Sequence, residues 1–186
     1  MYDSYYDGQF IIVDRFSYLT FWEVKQWLPE RWDVVVFRPG VNEEKEFYIK
    51  RIIGVPGDSI KIDEGKVFLK IEWQSNYVEL DEVYLSEWNM ESTYVSGKSK
   101  ENTYKVPLGG YFVMGDNRVA STDSRSCFSY CSGDTSNFVP KEAIVWKLLL
   151  DLWYFNFKEF SFTHPKLGIS TFPTFFSSPS HYEYTK

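Results

Sequence analysis

Histidine is almost missing from this chain: only His164 and His181 occur in 186 residues, both in the C-terminal stretch. Neither stands in a context suited to general acid–base work, so a histidine-based hydrolytic triad has no obvious base here. Cysteine is equally scarce. Cys127 and Cys131 form a Cys-x3-Cys pair without histidines nearby, a poor zinc site. Outside the cytoplasm the pair could close a small disulfide loop; two free thiols are the other reading, and the spacing leaves both open. No metal or cofactor is implied. Long apolar runs are absent too. A membrane-spanning helix needs about 20 such residues, and the longest candidate, 144–157, is interrupted by Lys147 and Asp151. Asp3 and Asp7 stand where a targeting peptide would be basic. No basic run offsets the excess of 26 acidic over 20 basic residues, a net charge of −6, which argues against nucleic acid as a partner.

What the chain does have is aromatic residues, 20% of the total. Phe16, Tyr18, Phe21, Trp22, Trp27 and Trp32 cluster early, and Trp146, Trp153, Tyr154, Phe155 and Phe157 late. They suit a core, or a surface lying in a bilayer interface. β-branched and aromatic residues bounded by Gly, Pro, Asp and Asn predict strands over 9–13, 33–37, 46–53, 59–62, 66–71 and 111–114. A short helix is expected over 18–28. Many short strands indicate a mainly β protein, a sandwich or folded barrel. Residues 1–64 and 105–160 read as the core and 65–104 as a small inserted β subdomain, with a mobile loop over 91–102. The tail from 161 to 186 shows no periodicity and is left unassigned or partly disordered. There are no internal repeats.

Within Glu46-Phe47-Tyr48-Ile49-Lys50-Arg51-Ile52-Ile53, followed by Gly54-Val55-Pro56-Gly57-Asp58, side chains alternate between sheet faces. Lys50 therefore shares its face with Tyr48 and Ile52. A lysine there either reaches to solvent or loses its proton more readily, because burial disfavours the charged form. The second case supplies a base near neutral pH, which an ordinary lysine of pKa about 10.4 is not. Another apolar strand, Gly110-Tyr111-Phe112-Val113-Met114, runs into Gly115-Asp116-Asn117-Arg118-Val119-Ala120-Ser121-Thr122-Asp123-Ser124-Arg125. Such a loop can hold a buried polar group from several sides.

Together these two segments resemble the lysine box and the last conserved box of bacterial type I signal peptidases, membrane-bound serine proteases with a Ser-Lys dyad. Gly8-Gln9-Phe10-Ile11-Ile12-Val13-Asp14-Arg15, Trp32-Asp33-Val34-Val35-Val36-Phe37 (with Trp32 in place of glycine), Leu80-Asp81-Glu82-Val83-Tyr84-Leu85 and Phe138-Val139-Pro140-Lys141-Glu142-Ala143-Ile144-Val145 are similar to further family boxes, in order. The resemblance implies that Lys50 is the general base and that Ser121 hydrogen-bonds its amine. It further implies that Asp123 pairs with Arg125 and Asp116 with Arg51. On this alignment the nucleophilic serine falls one position before Met1, and Met1 matches the methionine following it. The chain as given is therefore expected to start just past its nucleophile and to be inert, with an anchor further upstream. Ser4 is displaced by four positions, too far for a nucleophile.

The implied substrates are secreted preproteins with small residues at the first and third positions before the cut. Tyr48, Ile52 and Phe10 are candidates for the pocket walls, and the implied location is the outer face of the cell membrane, against lipid. A self-cleaving repressor of Ser-Lys type lacks support, since its N-terminal arm and Ala-Gly cleavage site are absent. A non-catalytic membrane-surface relative is the reading from another class.

Overall fold

In the computed structural model, which describes residues 10–14, 28–39, 47–95, 102–129, 136–156, 161–163 and 174–175, the β-rich segments pair into two sheets. The strands are β1 (Phe10–Asp14), β2 (Val34–Phe37), β3 (Tyr48–Gly54), β4 (Ser59–Asp63), β5 (Lys66–Lys70) and β6 (Val78–Glu79). After them come β7 (Thr103–Lys105), β8 (Gly110–Met114), β9 (Val139–Pro140), β10 (Ile144–Asn156), β11 (Ser161–Thr163) and β12 (Thr174–Phe175). The first sheet has the order β1-β10-β2-β3-β8-β9, with β11 and β12 also paired to β10; the second has the order β6-β5-β4-β7. The protein is mainly β, as its composition predicts. No helix of the described residues is long and apolar enough to cross a membrane.

Both faces of the first sheet are covered where β3 and β8 run side by side. Ile53, Phe112 and Met114 face the second sheet, packing with Ile60, Ile62, Val67, Leu69, Tyr104 and Val106. Ile52, Tyr111 and Val113 face the other way, onto Val35, Phe37, Phe128, Val139 and Ile144. Period-two alternation thus divides one pair of strands between two cores. The pairing is broken once: Ile52 lies opposite Val113 and Gly54 opposite Phe112, so Ile53 is the extra residue of a bulge. A Cβ on Gly54 would sit 2.8 Å from Ile60 and 3.0 Å from Val106. Both contacts belong to the core that Ile53 already fills, which is why glycine stands there.

Several expectations change. The run 144–157, read as an apolar stretch interrupted by Lys147 and Asp151 and not assigned as a strand, is largely β10, the strand that binds β1, β2, β11 and β12. Its leucine-rich stretch lacks a clean alternation, which hid it. The tail is not without structure: Ser161–Thr163 pairs with Tyr154–Asn156, and Thr174–Phe175 pairs with Leu150 and Asp151. The second sheet begins at Ser59, so β4 belongs with the strands of the expected insertion. Of the expected loop 91–102, Thr93 is buried and its amide donates to Gly65 O at 2.9 Å. The expected helix over 18–28 lies outside the described residues except at Leu28, as do Trp22 and Trp27.

Trp32 is described, and it is a core residue, not part of a surface aromatic patch. Its backbone has φ 76°, a left-handed conformation that costs a non-glycine residue about 1–2 kcal/mol. The glycine expected from the family box has a physical reason: only it adopts this turn without strain. The indole offsets the strain by filling the core beside Tyr84, with ring centroids 6.1 Å apart. Trp32→Ala should therefore destabilise the fold by about 3–5 kcal/mol. Trp32→Gly should cost about 1 kcal/mol less, reversing the usual order of alanine and glycine at positions of negative φ. Urea unfolding midpoints check this; a glycine variant less stable than the alanine variant refutes the account.

Candidate active site

β3 carries two consecutive cations to opposite sides of the sheet. Lys50 pairs with Val35 on β2, and Arg51 with Val34 on β2 and Met114 on β8. On the Lys50 side lie buried Ile52 and half-buried Tyr48, whose ring centroid is 5.4 Å from Nζ. The amine donates to Ile49 O at 3.2 Å, and it has no carboxylate in ion-pair contact among the described residues. Burial pushes its pKa below the ordinary lysine value, Asp123 and Asp116 pull it partly back, and Arg125 adds to the lowering. A lysine so treated can take up a proton from a hydroxyl, which a solvated lysine at neutral pH cannot.

On the opposite face Arg51 meets Asp116 in a two-pronged pair, Nε to Oδ1 at 3.0 Å and Nη2 to Oδ2 at 2.8 Å, both residues buried. Its third nitrogen donates to Trp32 O at 3.2 Å. Asp123 and Arg125 form a second such pair at 2.9 and 2.8 Å. The same carboxylate accepts from the amides of Gly115 at 3.0 Å and Arg125 at 3.1 Å. Burial alone would raise the Asp123 carboxyl. The Arg125 and Gly115 hydrogen bonds win and hold it below its usual range, with a contribution from a Ser121 contact outside hydrogen-bond geometry. These pairs satisfy charges that would be costly if buried alone, and they fix the loop after β8.

Ser121 lies within that loop. Its hydroxyl is buried and makes no hydrogen bond, so the bond to the Lys50 amine implied by the resemblance is not formed in this structure. Ser121 also lines a cleft of about 510 Å³ together with Tyr94, Arg118, Thr122 and Arg125. Val119 and Ala120, where polar residues are usual in the resembling box, leave no amide unpaired: Asn89 Oδ1 and Asn117 Oδ1 accept from them at 3.3 and 3.1 Å. Beyond Arg125 the chain turns through positive φ at Cys127, Phe128 and Ser129. This brings Phe128 under the Lys50 face, 5.6 Å from Phe37 and 6.3 Å from Tyr48, centroid to centroid. Cys127 is disulfide-bonded, which closes the choice between bonded and free thiols at that residue.

Asp116, Ser121, Asp123 and Arg125 thus share the loop after β8; the charges of Asp116, Asp123 and Arg125 reach Lys50, and Asp116 is held by Arg51. Met1, Ser4, Cys131, His164 and His181 lie outside the described residues, and Phe10 is described in its backbone alone. The sequence reading did not single out Arg118. That buried guanidinium donates to Gly115 O at 3.1 Å, Glu82 Oε2 at 2.8 Å, Thr93 Oγ1 at 2.7 Å and the Tyr84 hydroxyl at 2.9 Å. The Glu82-Val83-Tyr84 spacing, a carboxylate and a phenol two residues apart, was the available signal.

Comparison with known proteins gives this geometry its context. The profile of the family "Signal peptidase, peptidase S26" matches residues 1–153. Signal peptidase I of Rickettsia conorii is 32% identical over 154 residues, covering 69% of this chain and 55% of that protein. The enzyme of Rickettsia prowazekii is 31% identical over 150 residues, covering 69% and 56%. The chain therefore spans about half the length of these relatives. A crystal structure of a signal peptidase I from Enterococcus faecalis V583 aligns with a TM-score of 0.44 at 27% identity, over 66% of this chain and 97% of that one. With the family profile matching from residue 1 to residue 153, the chain belongs to the signal peptidase family, peptidase S26.

Proposed function

We propose that this protein is the catalytic β domain of a Ser-Lys endopeptidase that removes signal peptides from secreted preproteins at the outer face of the cell membrane. One observation carries the reading: a largely buried lysine amine, with no carboxylate in ion-pair contact among the described residues, beside a loop whose own charges are locked in pairs. In this scheme Lys50 takes the proton of the nucleophilic serine as its oxygen attacks the scissile carbonyl, and later delivers that proton to the leaving amine. The nucleophile is the serine expected ahead of Met1. Ser121, whose hydroxyl makes no hydrogen bond in this structure, turns toward the amine when substrate closes the site and fixes its direction. Asp123 with Arg125, and Asp116 with Arg51, keep the loop from drifting. The preprotein lies extended beside the site, Tyr48 and Ile52 offering apolar walls to small side chains. A lipid surface close to the site would exclude further water.

Activity is tested in a protein carrying the upstream serine, against a signal-peptide substrate. Lys50→Met should abolish cleavage, and Lys50→Arg should do the same, because guanidinium keeps its proton. Activity in the arginine variant would assign the proton transfer to another group.

The pH profile has a definite sign. Only the neutral amine is a base, so cleavage should fall as pH drops through the lowered Lys50 pKa, with this limb below the ordinary value of 10.5. A limb at or above that value removes Lys50 as base.

Stability follows the same proton. Between its folded pKa and its unfolded one Lys50 binds more proton in the unfolded chain, so stability rises with pH across that window. Lys50→Met should accordingly stabilise the chain most below the folded pKa, the gain shrinking to nothing above 10.5. Urea unfolding at a series of pH values reads this directly; a gain independent of pH would mean the amine is not desolvated.

A further inference from the structure

Arg51 is held by more than Asp116. The ring of Tyr84 lies 4.1 Å from its guanidinium carbon. The same ring is 5.9 Å from the guanidinium of Arg118, and Arg118 Nη2 donates to the Tyr84 hydroxyl at 2.9 Å. That hydroxyl in turn donates to Glu82. Burial and the Glu82 charge keep the phenol protonated, so it stays a neutral donor between an acid and two cations. Tyr84 sits outside any strand, between β6 and β7, and the proton transfer proposed above does not use it.

We propose that Tyr84 is a positioning residue for the lysine: its ring clamps Arg51 and Arg118 together, and through Arg51 it fixes Asp116 and the β3 backbone that carries Lys50. This rests on the Ser-Lys reading of the site. An aromatic face attracts a guanidinium directly, and a ring between two of them limits the movement of both. Lys50 is faced by Asp116, Asp123 and Arg125 from the loop after β8, and by Tyr48 on its own strand; across β2 its partner is the uncharged Val35. Asp123 is neutralised by Arg125 whatever happens at Tyr84. Asp116 is compensated by its two-pronged pair with Arg51, and the Arg118 charge also acts on it. With the ring gone, Arg51 loosens, Asp116 is less well compensated, and Lys50 holds its proton more tightly.

The 186-residue chain itself suffices for the test. Lys50 is titrated by competitive acylation at a series of pH values, with its peptide read by mass spectrometry, in the wild type, Tyr84→Phe and Tyr84→Leu. The phenylalanine variant keeps the ring and should titrate as the wild type does. The leucine variant should titrate upward by about half to one pH unit, the direction set by a less compensated carboxylate. If circular dichroism shows Tyr84→Leu to be unfolded, Tyr84→Met takes its place with the same expectation. A leucine or methionine variant that folds and shows no shift, or a downward one, overturns the proposal while leaving the Ser-Lys reading intact. A phenylalanine variant moving as far as leucine also overturns it. Wild-type Lys50 titrating as an ordinary lysine removes the Ser-Lys reading, and this proposal with it.

Discussion

Between β3 and β8 no sheet face is left to water, and the rest of the site answers to that condition. From Arg51 onward the side chains of β3 are buried, with Tyr48, Ile49 and Lys50 half-buried at the edge of that cover, so a polar group there is paired or has its charge disfavoured. Arg51 is paired, through Asp116 and Trp32 O. Lys50, one residue earlier, has the Ile49 carbonyl but no carboxylate in ion-pair contact among the described residues, and its amine is the group whose proton is loosened. A single covering of both faces thus produces a locked cation and a labile one from adjacent residues.

The loop after β8 follows the same logic. Asp116 and Asp123 lie close enough to Lys50 to raise its pKa, against the larger effect of burial. Arg51 and Arg125 take up their charge in two-pronged geometry, the strongest arrangement available to a carboxylate. Burial then remains the larger influence on the lysine. The arginines therefore matter electrostatically as well as mechanically: they let acidic residues build the loop without restoring the proton that burial removes.

Local pattern made the core of this arrangement legible in the sequence. Alternation along Tyr48–Ile52 put Lys50 among apolar neighbours, and the run of short polar residues after Met114 marked a loop built to hold charge. Trp32 at a glycine position was visible too, although its left-handed backbone was not. What stayed hidden was non-local. Whether the leucine-rich run 144–157 pairs as a strand depends on partners a hundred or more residues away in β1 and β2, and no window of sequence contains them. Arg118 showed its role only through the distant Glu82-Val83-Tyr84 spacing, because its partners Glu82, Tyr84 and Thr93 lie about thirty residues back.

The bulge at Ile53 has a further consequence, which concerns length and not composition. A strand has a phase, and inserting or deleting one residue inverts every side chain beyond the change. From Tyr48 to Ile52 that inversion would exchange base and brace, presenting arginine to the apolar pocket and lysine to Asp116. At Ile53 the phase is already interrupted, since two residues of β3 answer to one of β8. Loss of that extra residue would restore even pairing without touching the lysine's side of the strand. An indel before Ile53 thus exchanges the faces of Lys50 and Arg51, whereas one at the bulge leaves their phase as it is.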